Sequence, residues 1–223
     1  MTNRKNIFLT EFLPPIIICC ISLIIYITLL LTKAEFASPS QVLLYMGICL
    51  IPMLIYVVSF GYIRLPHALK IGLYAYFTAS NLIATAFNLY SFIPFFDTIL
   101  HTLFGYLCGY LIIYIYKLTN DYDNMSFLLK VLSILLITAG IGAFWEICEY
   151  SVDVLTNANS QHEIETGLID TMQDTFCNIC GAFVFSLHMV IDHFALKDRF
   201  FNLTSKAMAP IGKLSYNLKK EDK

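Results

Sequence analysis

The feature that most limits this chain is a run of 21 residues, Phe12 to Thr32, that carries no charge and is bounded by Glu11 and Lys33. In hydrocarbon a backbone N–H or C=O finds no water. Such a stretch is therefore stable there only as a helix that closes its own hydrogen bonds. About 20 residues suffice to cross the apolar core of a bilayer. Composition says that the rest of the chain follows suit. Of 223 residues, 58% are hydrophobic and 13% charged, where a soluble domain carries roughly a quarter. Arg4 and Lys5 precede the run, as in a signal peptide. The run is longer than a signal core, however, and Lys33-Ala34-Glu35 makes a poor cleavage site, so a retained membrane span is expected.

Five further apolar stretches are expected to be helical spans: 41–63, kinked at Pro52; 71–92; 97–116, beginning after Pro94; 127–151; and 170–194. The expected fold is all-α, a polytopic integral membrane protein of six transmembrane helices, in one transmembrane domain with a basic tail over 195–223. With six spans both termini share a side. That side collects thirteen lysines and arginines, among them Arg64, Lys70, Lys117, Lys130 and seven from Lys197 onward, against Lys33 alone on the other. Basic residues mark the cytoplasmic side, so both termini are placed in the cytoplasm. Phe87, Tyr90, Phe92, Phe95 and Phe96 would then form an outer aromatic belt. The tail, with Phe200, Phe201 and Leu203 among its lysines, is expected either to lie on the anionic inner leaflet or to be solvated. A net charge of −2 gives no basic field for nucleic acid. The seven cysteines lie in or beside apolar runs, where a thiol packs like a small apolar group. Cys177 and Cys180 form an isolated C-x-x-C, read as packing rather than as a zinc or redox motif.

Charges inside spans are costly and usually face a bundle interior or a cavity. Here they fall at helical spacing on single faces. In the fourth stretch these are Asp97, His101, Gly105 and Gly109; in the fifth, Gly142, Glu146, Glu149 and Asp153; in the sixth, Asp170, Asp174, Asn178 and Gly181. The third stretch adds Thr78, Asn81, Thr85 and Asn88. Spans four and six run inward and span five outward, so Asp97, Glu146, Glu149, Asp170 and Asp174 share the outer third of the membrane. His101 and Asn178 lie deeper, and glycines close the inner ends, where backbones can approach. Helices three to six are thus expected to form a four-helix core flanked by the first two.

Five carboxylates in so small a volume cannot all stay ionised without counter-charge. No lysine or arginine shares their faces, so some hold protons or one or two divalent cations bind. Carboxylates with an imidazole at helical spacing suit a metal site in a helix bundle. Asp97, His101, Glu146, Glu149, Asp170 and Asp174 are the candidate ligands, Asn178 and Asn88 the supporting residues, and Glu146 and Asp174 the candidate catalytic groups. Plainer roles compete. Asp97 and Asp170 stand at helix starts, where they can cap. Glu149 and Asp153 can reach outer water, and His101 can be a polar packing residue. Glu146 and Asp174 sit a turn further in, beyond what capping explains. His188 and His193 are expected to be structural or interfacial, and His162, Glu163 and Glu165 solvated.

The segments Phe95-Phe96-Asp97-x-x-x-His101, Ala143-Phe144-Trp145-Glu146-x-x-Glu149 and Asp170-Thr171-x-x-Asp174-x-x-x-Asn178-x-x-Gly181-Ala182 resemble a family of small bacterial inner-membrane proteins of unknown function, the YjdF-like proteins. The resemblance covers roughly residues 70 to 195. It implies a multi-pass protein of the bacterial cell membrane and brings no activity with it.

Three function classes follow. The first is a divalent-metal-dependent enzyme acting on a lipid or envelope amphiphile that reaches the site from the outer leaflet; no nucleophile motif accompanies it. The second is a cation- or proton-coupled transporter, although the inner halves of the stripes are glycine and apolar residues, with Asp192 alone near the cytoplasmic edge. The third is a non-catalytic assembly partner whose acidic network specifies packing.

Overall fold

The computed structural model describes residues 7–33, 39–119, 121–156 and 167–208, and these are predominantly helical. Arg4, Lys5, His162, Glu163, Glu165 and the tail beyond Met208 lie outside the described residues. The chain divides into two compact units at Pro94 and Phe95.

In the first unit a π-helical turn, Phe8–Phe12, leads into α1, Leu13–Thr32. Leu23, Ile24 and Leu31 of α1 are 57%, 64% and 79% exposed. An apolar surface of this kind is stable against lipid rather than water. The stretch expected as one kinked helix over 41–63 is two helices, α2 (Pro39–Cys49) and α3 (Ile51–Val58). Pro52 is the second residue of α3. It has no N–H to donate and its ring crowds the carbonyl four residues back, so the chain breaks at Leu50 instead of bending. The next stretch is likewise segmented. It comprises α4 (His67–Phe77), a π-helical segment over Thr78–Ile83, a short α5 (Ala84–Ala86) and α6 (Leu89–Phe92). Asn88 separates the last two in the left-handed region, φ 51°, which asparagine tolerates better than most side chains. It accepts a hydrogen bond from Ser91 Oγ at 3.0 Å, so its side chain serves this turn.

A buried ion cluster closes the start of this unit. Glu11 Oε1 accepts from Arg64 Nε and Nη2, both at 3.0 Å, and Glu11 Oε2 lies 2.6 Å from Lys70 Nζ. Lys70 also donates to the Thr10 carbonyl at 3.3 Å. All three charged side chains are at least nine-tenths buried.

The second unit begins at Phe95, itself left-handed (φ 58°) after Pro94. It holds α7 (Phe96–Leu118), α8 (Phe127–Thr156), α9 (Gly167–Ala195) and α10 (Arg199–Ala207). Among the described residues, Phe8–Thr32 and helices α7 to α9 make four that are long and apolar enough to cross a membrane. The pair α7 and α9 packs most closely. A Cβ on Gly105 would overlap the Asn178 carbonyl oxygen, and one on Gly181 would overlap the Thr102 carbonyl oxygen. Only glycine permits such mutual backbone approach. One step further along, Gly109 lies under the ring of Phe185, which packs edge-on against Tyr106, Tyr110 and Phe201 at centroid distances of 5.2, 4.9 and 5.5 Å. At the far end of α9, Asp192 is fully buried and accepts from the backbone N–H groups of Phe200 and Phe201 at 3.0 and 2.9 Å. It is the N-terminal cap of α10. His188 bonds to the Tyr106 hydroxyl at 3.0 Å and His193 to Asp198 at 2.8 Å, the structural roles expected of both.

Candidate functional site

The close contact of α7 with α9 brings their polar faces together. On α7, Asp97 and His101 are one helical turn apart, and His101 Nε2 lies 3.5 Å from Asp97 Oδ1. From α9, Asp174 sets its Oδ2 3.5 Å from the same nitrogen. Ligand atoms of the three residues all lie within 4.8 Å of one another. A metal–nitrogen distance near 2.0 Å and a metal–oxygen distance near 2.1 Å at a tetrahedral angle separate two ligands by about 3.4 Å. The two imidazole–carboxylate separations fit that spacing. His101 is 6% exposed and Asp174 1%, whereas the Asp97 side chain is 28% exposed. The group is closed on one side and open at Asp97.

The other ring nitrogen of His101 is held from α9 as well. Asn178, fully buried, places its Nδ2 3.1 Å from Nδ1, and its Oδ1 has no hydrogen-bond partner. In that orientation Nδ1 accepts, and Nε2–H points between the two carboxylates. A half-turn of the amide reverses this: Oδ1 accepts from Nδ1–H and Nε2 presents its lone pair. That is the arrangement a metal-bound imidazole requires. Gly142 of α8 gives the amide room, since a Cβ there would meet Asn178 Nδ2 at 3.0 Å.

From α8, Glu146 reaches the same histidine at 4.0 Å, Oε1 to Nδ1. It is 2% exposed, and neither of its oxygens has a hydrogen-bond partner of sound geometry, although Thr171 of α9 stands beside it. A buried carboxylate in that condition is costly unless something compensates it. Glu149 accepts from Trp145 Nε1 at 2.7 Å and interacts electrostatically with His101 and Glu146. Asp170, in the first turn of α9, interacts in the same way with Glu146 and Asp174. Phe95, at the N-cap position of α7, supplies no side-chain cap, and Asp97 lies in the first turn.

The structure thus gathers Asp97, His101, Glu146, Asp174 and Asn178 closely and sets Glu149 and Asp170 around them. Asn88 belongs to the first unit, in its turn. Sequence reasoning did not foresee the Trp145–Glu149 bond, although i,i+4 spacing could have shown it. It also missed the Glu11–Arg64–Lys70 cluster and the groove beside Glu146. All seven cysteines are free thiols, and Cys177 is a buried packing residue of α9.

A family model described as "Predicted membrane protein (DUF2238)" matches residues 17–194. No curated protein and no solved structure matches the chain.

Proposed function

For a chain that belongs to the DUF2238 family of predicted membrane proteins, we propose that the α7–α9 site holds a divalent transition-metal ion and serves an enzyme that acts on a lipid or envelope amphiphile. The observation that carries this reading is the convergence of Asp97, His101 and Asp174 ligand atoms within 4.8 Å, with unpartnered buried oxygens on Asp174 and Glu146 around them. One imidazole with two carboxylates suits Zn²⁺, Mn²⁺ or Fe²⁺. Such an ion, when bound, would supply Lewis acidity and an activated water for attack on the phosphorus of a phosphate ester or the carbonyl carbon of a carboxylic ester. Asp97, His101 and Asp174 are the ligands, Asn178 sets the imidazole, Glu146 faces the substrate, and Glu149 and Asp170 form the outer acidic ring. The chain crosses the bacterial cell membrane six times with both termini in the cytoplasm, and the site opens to the outer leaflet.

The transport reading is weaker on one specific count. Beyond Asn178 the α7–α9 contact is glycine against backbone, then Phe185 among Tyr106, Tyr110 and Phe201, which leaves an ion no hydrated path between these two helices. The test is elemental analysis of the detergent-purified protein, together with titration by Mn²⁺ followed by electron paramagnetic resonance. Stoichiometric metal is expected in the wild type and its loss in His101→Gln and Asp174→Asn. Absence of metal from the wild type after reconstitution with Mn²⁺, Zn²⁺ and Fe²⁺ refutes the reading.

A further inference from the structure

Beside Glu146 the surfaces of α8 and α9 diverge and leave a groove of about 570 Å³, in the range of small-molecule sites. Its walls are Ala143, Ile147 and Tyr150 on α8 and Leu168 and Met172 on α9. Except for Glu146 and two threonines, the lining is apolar or aromatic. Ile147, Leu168 and Met172 are 61%, 75% and 63% exposed. Both helices are long and apolar enough to span a membrane, so the groove opens on hydrocarbon, and what fills it from that side is a hydrocarbon chain.

The polar end of the groove decides the headgroup. Glu146 lines it beside Thr171, with its two carboxylate oxygens covered just beneath the surface, and no cationic side chain is in the lining. No lysine or arginine occurs anywhere in 96–116, 131–156 or 167–196. Glu146 is also the buried acid whose two oxygens both lack a hydrogen-bond partner. A buried carboxylate whose nearest cationic partner is an imidazole 4.0 Å away attracts a hydrogen-bonding cation and repels an anionic group. We infer that this groove seats one hydrocarbon chain of an amine-headed phospholipid, loaded sideways from the bilayer, with its ammonium group bonded to Glu146. The inference names the amphiphile of the cation site and rests on that reading for its chemistry. The seat is formed by Glu146, which stands 4.0 Å from His101 but is not one of the three ligands proposed above, and by the α8–α9 walls.

The experiment uses the full chain in nanodiscs that contain equal parts of phosphatidylethanolamine and phosphatidylglycerol with matched chains. The protein is then released into mild detergent for native mass spectrometry. One retained lipid is expected, with the ethanolamine form favoured about tenfold or more, as a charge-assisted hydrogen bond provides. Glu146→Gln is expected to keep a lipid but lose the preference. Ala143→Trp and Met172→Trp, both at exposed positions, are expected to fill the groove and expel the lipid while circular dichroism stays helical. Equal retention of the two lipids by the wild type, or retention undiminished in both tryptophan variants, overturns the inference. Mn²⁺ binding measured on the same samples separates the two readings. Bound Mn²⁺ without lipid preference defeats the lipid seat alone, and lipid preference without Mn²⁺ defeats the cation site alone.

Discussion

Replacing Gly105 with alanine tests whether the α7–α9 backbone contact sets the site. The new methyl would overlap the Asn178 carbonyl oxygen and stand 2.8 Å from its carbonyl carbon and 3.0 Å from its Cα. These are backbone atoms in mid-helix, so no rotamer change relieves the clash and the helices themselves must move. Restoring the roughly 3.5 Å separation of carbons in contact requires α7 and α9 to part by about 0.7 Å or more. Overpacking of this kind costs about 1–3 kcal/mol. The same shift carries Asp97 and His101 on α7 away from Asp174 on α9, several times the ~0.2 Å that a coordination distance tolerates. Gly105→Ala is therefore expected to lower the thermal stability of the detergent-purified protein and to weaken Mn²⁺ binding at least about tenfold, since ligand geometry is held to that tolerance. Gly140→Ala on α8 is the control, because a Cβ there meets nothing within 4 Å and alanine is the better helix former. It should match or slightly exceed wild-type stability and bind Mn²⁺ normally. If Gly105→Ala behaves like Gly140→Ala in both assays, the claim that this contact sets the site is wrong.

Two other substitutions probe separate parts of the molecule. Asn178→Leu removes the group that orients His101 without touching a proposed ligand. It is expected to reduce metal affinity about 10- to 100-fold while the protein stays folded, as isothermal titration with Mn²⁺ and circular dichroism would report; unchanged affinity would remove Asn178 from the site. Glu11→Gln in the first unit leaves Arg64 and Lys70 buried without their carboxylate and should destabilise the protein by about 3–5 kcal/mol. Thermal unfolding in detergent would show it, and a loss under about 1 kcal/mol would mean that the two cations reach solvent.

Helical periodicity made the second unit legible. Acids, histidine, asparagine and glycine at steps of three and four could share faces only on helices, and the glycines marked where two of those helices would touch. Asp97, His101, Asp174 and Gly105 lie on those faces, and α7 and α9 do touch there. The first unit was harder to read for two reasons. Hydropathy averages over a stretch and so ignores the one residue that breaks it: Pro52 ends a helix that its apolar neighbours would continue, and Asn88 turns the chain where its stripe suggested a straight face. Ion pairing across 53 residues, as between Glu11 and Arg64, leaves no local periodicity at all. Each of these charges looked like an ordinary interfacial residue at the end of a span.

That cluster supplies a measure for the site in the other unit. Where this chain buries the acid Glu11, it brings two of its own cations against it. Where it buries Asp192, two backbone N–H groups meet the carboxylate. Both acids are compensated from within the sequence, as burial demands. Around His101 the same chain gathers Asp97, Glu146 and Asp174 on helices that carry no lysine or arginine in 96–116, 131–156 or 167–195. A single imidazole cannot balance them: it stands 3.5 Å from Asp97 and Asp174 and 4.0 Å from Glu146, against 3.0 and 2.6 Å for the cations at Glu11, and the oxygens of Glu146 and Asn178 Oδ1 are left without a hydrogen bond. A polar network that served packing alone would gain stability by closing those bonds internally. The difference between Glu11 and Asp192 on one side and this group on the other supports the two proposals, a metal ion at Asp97, His101 and Asp174 and a lipid ammonium at Glu146, over a purely structural role for these acids.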